Sequence, residues 1–467
     1  MPADAPRVAA RRGGDTPRRG RLRQGRPRSG GIPGILPRIQ PVRRSERRRR
    51  LRGDRSEKER TRVTVNDPRI HEPLARDGGR PVRSSYLIFG APDLQDPEIA
   101  EVVEVLRSGW IGTGPRVGRF EEQFRDYVGA RHAVALNSCT AGLHLSLIAL
   151  GAQSGDEVIV PTMTFAATAN SVCHVGARPV LVDCEPDTLN LDPRAVEAAL
   201  TPKTKIIVPV HFAGRAADMT ALEAIARPRG IRILEDAAHG VETVHQGRKI
   251  GTIGDCTAFS FYVTKNVVTG EGGIVTTEDE EIASWIKIAG LHGMSKDAWK
   301  RYSDDGFKHY EVEFPGFKYN MMDLQAALGL HQLARVEENW QKRATLWQRY
   351  RDAFADLPVQ LPAPVRHGDR HAYHLFILLL DLDRLKWTRD QVQHALHQEN
   401  IGTGIHYRAV HLHPYYRRSL GVRPESFPHA TAISERTLSL PFSTKLGESD
   451  VHDVFAAVHK VLRAARR

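Results

Sequence analysis

Lys265, Asp236 and the segment Asn137-Ser138-Cys139-Thr140-Ala141 are the residues whose types and spacing suit chemistry. Lys265 stands in FSFYVTKN (259–266), among apolar and aromatic neighbours. An ammonium is costly to hold there unless it is neutral or covalently used. Asp236 stands in LEDAAHG (234–240), just past an apolar run predicted as a strand over 231–234. A buried carboxylate at that place needs a cationic partner, although a helix cap is the plainer reading. His239, three residues on, is placed to touch the same ligand or to be an ordinary loop histidine. The segment 137–141 lies between a predicted strand and a predicted helix. A helix start offers unpaired N–H groups and a positive dipole end, which suits a phosphate. Asn137 and Ser138 serve equally well as plain caps. Ser260 is a further donor, and Gly270, Gly272 and Gly273 permit close backbone approach or a tight turn.

Taken together, a phosphate cradle, a carboxylate and a lysine are the parts a pyridoxal phosphate site needs. The lysine forms a Schiff base with the aldehyde, and the aspartate pairs with the ring nitrogen and keeps it protonated. An aromatic residue stacks on the ring, and Phe165 in PTMTFAATAN (161–170) is placed to do so. A buried lysine of lowered pKa is also a competent base.

These residues need a scaffold that gathers strand ends. Apolar runs at 133–136, 157–160, 179–182, 205–210, 231–234 and 257–261 read as strands. Helical spacing at 97–106, 120–128, 142–150, 193–200 and 219–226 separates many of them. Such alternation predicts a mostly parallel sheet covered on both faces, with ligands at the carboxyl ends of its strands. A long helix is predicted over 322–350. The Pro-rich stretch 357–364 marks a change of domain, and 374–382, 389–398 and 450–465 suggest a smaller α+β domain. The expected division is a basic tail over 1–85, a large domain over 86–345 and a small domain over 346–467.

Composition limits the function classes. The chain has 467 residues with a formal net charge of +12. Residues 1–85 hold 25 Lys+Arg and 9 Asp+Glu, whereas the remainder holds 42 and 46. The basic character belongs to the first segment, so the whole chain does not read as a nucleic-acid binder. That Arg/Pro/Gly-rich segment is expected to be disordered, a solvated tail or an over-extended start rather than a phosphate-binding tether or a transit peptide. No run approaches the roughly 18 apolar residues of a membrane helix. The four cysteines form no CxxC pair and read as reduced thiols of a cytoplasmic protein, with no metal site expected.

Seven ordered runs together resemble the DegT/StrS family of pyridoxal-phosphate sugar aminotransferases, over about residues 88–465. They are SGWIGTGPRVGRFEEQF (108–124), LNSCTAGLHLSLIALG (136–151), GDEVIVPTMTFAATANSV (155–172), LEDAAHG (234–240), FSFYVTKNVVTGEGG (259–273), PGFKYNMMDLQAALG (315–329) and HAYHLF…IGTGIHYRAVHLHPYYR (371–417). The last two look like the branch that aminates UDP-4-keto-pentose and its relatives.

The resemblance implies an α/β type I aminotransferase fold: a large domain with a mixed, mostly parallel sheet, and a smaller C-terminal α+β domain. It implies Lys265 as the lysine that holds pyridoxal 5'-phosphate and Asp236 as the ring-nitrogen partner. His239 would neighbour the phenolic oxygen, Phe165 would stack, and Cys139, Thr140 and Ser260 would hold the phosphate. Asn320 would reach the phosphate of a partner subunit's cofactor, which implies a homodimer with shared sites. His406 and Tyr407 would line a sugar pocket with Trp110 near it, and Arg408 is a residue for substrate phosphates or a plain surface arginine. Many members have proline where this chain has Val263, and the basic tail has no counterpart among them. Relatives that dehydrate sugars replace the lysine by histidine, so Lys265 favours amino transfer. The implied reaction moves an amino group from an amino acid, L-glutamate first, to a nucleotide-linked keto-sugar in surface polysaccharide or related amino-sugar biosynthesis. The rival readings are a sugar dehydratase, a non-sugar aminotransferase, and a regulator that binds nucleic acid through its tail.

Overall fold

The computed structural model describes residues 67–294 and 311–467. The expected disorder of the basic segment lies, for residues 1–66, outside the described residues.

The large sheet has seven strands. In chain order they are β1 (His132–Leu136), β2 (Glu157–Pro161), β3 (Arg178–Val182), β4 (Thr204–Ile207), β5 (Arg232–Ala237), β6 (Cys256–Ser260) and β7 (Gly273–Thr277). Their order across the sheet is β1-β7-β6-β5-β4-β2-β3. The pairs from β6 to β3 are all parallel, and β7 runs antiparallel to both β1 and β6. The alternation predicts a mostly parallel sheet, and the mixed order is the one the resemblance implies. Both faces are covered, so the strands read as near-continuous apolar runs. Val134, Val160, Leu234 and Val275 enter one core with the helix Cys139–Ala149. Ala135, Ile159, Ile233 and Ile274 enter the other, with Phe120, Phe124 and Leu222.

Three expectations differ from the structure. Asp236 lies inside β5 rather than beyond it, because the strand continues through the acidic pair to Ala237. The helix expected over 322–350 is two helices, Asp323–Ala334 and Val336–Phe354, separated at Arg335 by a non-helical φ of −111°. The boundary expected at 345/346 therefore falls inside the second helix.

The third difference is at the front of the chain. Residues 67–85 are a packed part of the molecule, not a disordered tail. Ile70, Leu74 and Val82 are buried in the core of the C-terminal region. Arg69 and Arg83 both pair with Asp453, at 2.7 and 2.8 Å. Beneath them Lys460 and Glu399 form an ion pair of 2.9 Å with almost no solvent exposure. Glu399 also accepts from the Ala75 and Val82 backbone N–H groups, and Lys460 donates to the Arg80 carbonyl. These bonds satisfy a pair that burial alone would make unfavourable.

The C-terminal region carries a three-stranded antiparallel sheet, Val359–Gln360, Phe376–Leu380 and Thr437–Leu440, with the helices Arg389–Gln398 and Glu448–Ala465. Tyr350 and Phe354 of the helix Val336–Phe354 pack into its core.

Candidate active site

The site forms where β5, β6 and the helix Cys139–Ala149 end or begin. Successive residues of a strand face opposite sides, so the two acids of LEDAAHG part company. Asp236 shares the face of Leu234, toward the helix Cys139–Ala149. Glu235 shares the face of Ile233. It is fully buried there and is satisfied by His211 Nε2 at 3.0 Å, the Gly254 N–H at 2.8 Å and the Thr257 hydroxyl at 2.7 Å. Asp236 pairs in register with Ala258 of β6. It accepts from the Thr168 hydroxyl at 2.8 Å and the Ala238 N–H at 3.1 Å. Burial still raises its carboxyl above the usual range, with Thr168, Ala238 and Lys265 acting the other way. A protonated ring nitrogen is a partner that would hold it ionised.

After β6 the chain turns back over 261–272. Lys265 N–H donates to the Tyr262 carbonyl and Thr269 N–H to the Phe261 carbonyl, both at 2.8 Å. Gly270, at φ +82°, supplies the left-handed residue that lets the chain return to β7. Lys265 stands on this turn. Burial draws its amine down to about 8, opposed by the nearby Cys139 and Asp236. A substantial neutral fraction near pH 8 suits both nucleophile and base.

The phosphate cradle follows from one close approach. Ser138 caps the helix Cys139–Ala149, its hydroxyl accepting from the Ala141 N–H at 3.1 Å. The N–H groups of Cys139 and Thr140 precede the first intrahelical bonds. A Cβ at Gly273 would stand 2.4 Å from the Cys139 nitrogen, so only glycine lets β7 start there. Gly273 pairs with Leu136 on one side and Ser260 on the other, which brings the Ser260 hydroxyl to the same end. Asn320 bridges to Leu136, and its buried Oδ1 has no hydrogen-bond partner. Two free N–H groups, a hydroxyl and an aldehyde-reactive amine fit pyridoxal phosphate. Gly273→Ala should weaken cofactor binding by about fivefold to 150-fold, since overpacking costs about 1–3 kcal/mol and each 1.4 kcal/mol is about tenfold. An absorbance titration with pyridoxal phosphate measures it, and unchanged affinity would remove this corner from the site.

The third wall comes from the C-terminal region. Tyr407 Oη lies 3.1 Å from His239 Nε2, and its ring lies 5.8 Å from Phe165 and 5.9 Å from Phe212. Phe165 is 60% exposed, an open aromatic face beside Tyr407 rather than a core residue. His406 bonds Ser439 at 2.8 Å and rests on Phe89, and burial beside Lys265 draws it down to about 3. The structure thus brings Lys265, Asp236, Cys139, Ser260, Phe165, His239, His406 and Tyr407 into one region.

Trp110, Asn320 and Arg408 stand differently. Trp110 Nε1 donates to the Thr113 carbonyl, and Asn320 Nδ2 donates to the Thr113 hydroxyl, so these two form their own group. Arg408 is exposed and donates to the Leu412 carbonyl at 3.2 Å. The sequence reading missed Thr168, three residues after Phe165 on the helix Ala166–His174 that Phe165 precedes, although TFAAT held the signal. It also missed Asn266 and His374, both inside quoted runs but assigned no role.

The chain is similar to known proteins over most of its length. Residues 92–459 match the model described as the DegT/DnrJ/EryC1/StrS aminotransferase family. The chain is 50% identical over 384 residues to the spore coat polysaccharide biosynthesis protein SpsC of Bacillus subtilis, covering 82% of this chain and 99% of that one. Among solved structures, a putative sugar aminotransferase of Streptococcus pneumoniae in its PMP form has a TM-score of 0.77 at 34% identity, covering 81% and 99%. PseC of Helicobacter pylori, an aminotransferase involved in the biosynthesis of pseudoaminic acid, has a TM-score of 0.76 at 27% identity, covering 81% and 100%.

Proposed function

The chain belongs to the DegT/DnrJ/EryC1/StrS aminotransferase family, and from that premise we propose that it moves an amino group from L-glutamate to a nucleotide-linked keto-sugar. It is a pyridoxal-phosphate-dependent aminotransferase with a type I aminotransferase fold. The observation that carries the residue roles is Lys265, partly desolvated on its turn, within electrostatic reach of the buried Asp236. The sugar reading is supported by the relatives, whose descriptions concern spore coat polysaccharide, sugar amination and pseudoaminic acid.

When bound, the cofactor supplies an aldehyde to carry the amino group and a ring to hold the electron pair of a broken C–H bond. Lys265 Nζ holds the cofactor between turnovers. Once free, the same amine takes the α-proton of the donor, and in the second half-reaction it delivers a proton to the former carbonyl carbon of the sugar. Asp236 presents its carboxylate to the ring nitrogen and keeps a proton there. Cys139 N–H, Thr140 N–H and the Ser260 hydroxyl fix the phosphate. Phe165 covers one ring face. His239, neutral because burial holds it well below its usual range, and Tyr407 line the phenolic side. His406, beside Lys265, would line the sugar pocket, and Arg408 would be a residue for the substrate phosphates.

A second copy of the chain fits the remaining group. Asn320 carries an unpartnered Oδ1, and Trp110, Ile111 and Met322 near it are exposed apolar residues. We assign them to a homodimer in which Asn320 and Trp110 complete the partner's site. The four free thiols fit a reducing compartment such as the cytoplasm. Among the described residues no helix is long and apolar enough to cross a membrane.

Titration of loaded enzyme with L-glutamate tests the first half. The lysine-held cofactor should convert to pyridoxamine phosphate with one 2-oxoglutarate released per site. A nucleotide keto-sugar should then restore the spectrum and appear as the amino-sugar. A sugar that loses water instead would identify a dehydratase, and an oxo-acid as sole acceptor a non-sugar aminotransferase.

A further inference from the structure

Three buried polar side chains beside the site have no part in the reaction as described: Glu242, Asn266 and His374. Asn266 directly follows Lys265. Its Nδ2 donates to both carboxylate oxygens of Glu242 and to the Ala372 carbonyl, each at 2.9 Å. Its Oδ1 lies 3.0 Å from His374 Nδ1. Three oxygens at one end of the amide and one ring nitrogen at the other leave a single orientation, nitrogen toward the oxygens. His374 Nδ1 must then carry the hydrogen, and the lone pair sits on Nε2.

His374 is stacked on His239, with ring centroids 4.4 Å apart and planes tilted by 35°. His239 has the opposite tautomer. Its Nδ1 accepts from the Ala213 N–H at 3.2 Å, which leaves the hydrogen on Nε2, facing Tyr407 Oη. Burial keeps both rings neutral. One side-chain amide therefore joins the turn that carries Lys265 to the ring against which His239 rests.

We propose that Glu242 is a positioning residue for this reaction: through the Asn266 amide it fixes the turn bearing Lys265 and the Nδ1–H tautomer of His374, and so the seat of His239. The proposal rests on the reading of Lys265 and His239 as working residues. An ionised carboxylate suits the task because it accepts only. A glutamine of the same size both donates and accepts, so the paired amides could reverse. Asn266 would then present Nδ2 to His374, whose hydrogen would move to Nε2. Both Glu242 oxygens accept from the Asn266 amide, as an ionised carboxylate does; burial raises its carboxyl above the usual range, with Arg343, Asn266, its own N–H and Lys249 acting the other way. A site that needed only packing would be filled as well by an apolar residue.

The test is histidine-selective 15N NMR of the enzyme loaded with pyridoxal phosphate, with the His374 signals assigned through His374→Gln. The wild type should show His374 only as the Nδ1–H tautomer and His239 as Nε2–H. Glu242→Gln should add an Nε2–H population at His374. Its kcat should fall about tenfold, the cost of a small misplacement of reacting groups, with the KM for the amino donor unchanged. An Nε2–H form of His374 in the wild type would overturn the proposal, as would a Glu242→Gln enzyme with an unaltered tautomer. Should that variant fail to fold, Asn266→Ala reads the same point, because removing the amide must release the His374 tautomer, and an unchanged tautomer there overturns the proposal equally. The tautomer signal needs no turnover. Expected signals in an enzyme inert toward keto-sugars would leave the positioning role standing and the substrate reading fallen.

Discussion

Lys265→Ala should retain pyridoxal phosphate at the Cys139–Ser260 cradle, bound without a covalent link, and lose turnover by about 10³-fold or more. Proton transfer by a positioned base contributes about 10²–10⁴-fold, and this variant also loses the amine that holds the cofactor between turnovers. The measurement is a single-turnover assay with L-glutamate beside an absorbance spectrum of the loaded variant. Turnover within tenfold of the wild type would remove Lys265 from its role. The wild type should also show a pH signature. The neutral amine is the nucleophile, and its pKa is drawn down to about 8 by burial. Its neutral fraction rises as pH passes upward through that value, so the rate of cofactor capture should rise from pH 7 to 9 and then level. An unperturbed lysine would keep rising toward its ordinary value near 10.4.

Asp236→Ala should still capture the cofactor on Lys265 but lose about 10²–10³-fold in kcat, the usual loss on removing one preorganised electrostatic partner. The chain of reasons is short. The carboxylate sits on the site face of β5, buried and held by Thr168 and Ala238, and a ring nitrogen is the cationic partner it lacks. Asp236 would hold the proton on the ring nitrogen that lets the ring take up an electron pair, and alanine there would not. The variant also removes the acceptor of the part-buried Ala238 N–H and one partner of the Thr168 hydroxyl, which keeps Thr164 at 2.8 Å, so thermal melting should fall as well. Unchanged kcat in a destabilised protein would make Asp236 a structural residue only.

Much of this site was legible in the sequence because its chemistry sits at strand ends, where apolar runs give way to polar residues. Lys265 stood out as a lysine among aromatic neighbours, and Asp236 as an acid beside an apolar run. The alternating pattern also predicted the sheet, though not β7. Its leading glycines read as a turn, whereas Gly273 serves a close approach to the Cys139 nitrogen that only three-dimensional neighbours reveal. The opposite environments of Glu235 and Asp236 follow by parity from a strand that extends through both, beyond the apolar run that the sequence marks as its end. Residues 67–85 were hidden by Arg and Pro richness, while Ile70, Leu74 and Val82 do pack against a region hundreds of residues away. The same holds for the Glu242–Asn266–His374 set. Its members lie 24 and 108 residues apart, and no local pattern links them.

The central claim is that Lys265 holds the cofactor in this aminotransferase. Borohydride reduction of the loaded enzyme, followed by proteolysis and mass spectrometry, tests it most directly. The account predicts that the cofactor mass is fixed to the peptide bearing Lys265, and that prior addition of L-glutamate prevents the labelling. Labelling of a different lysine, or labelling of Lys265 that L-glutamate leaves untouched, would contradict it.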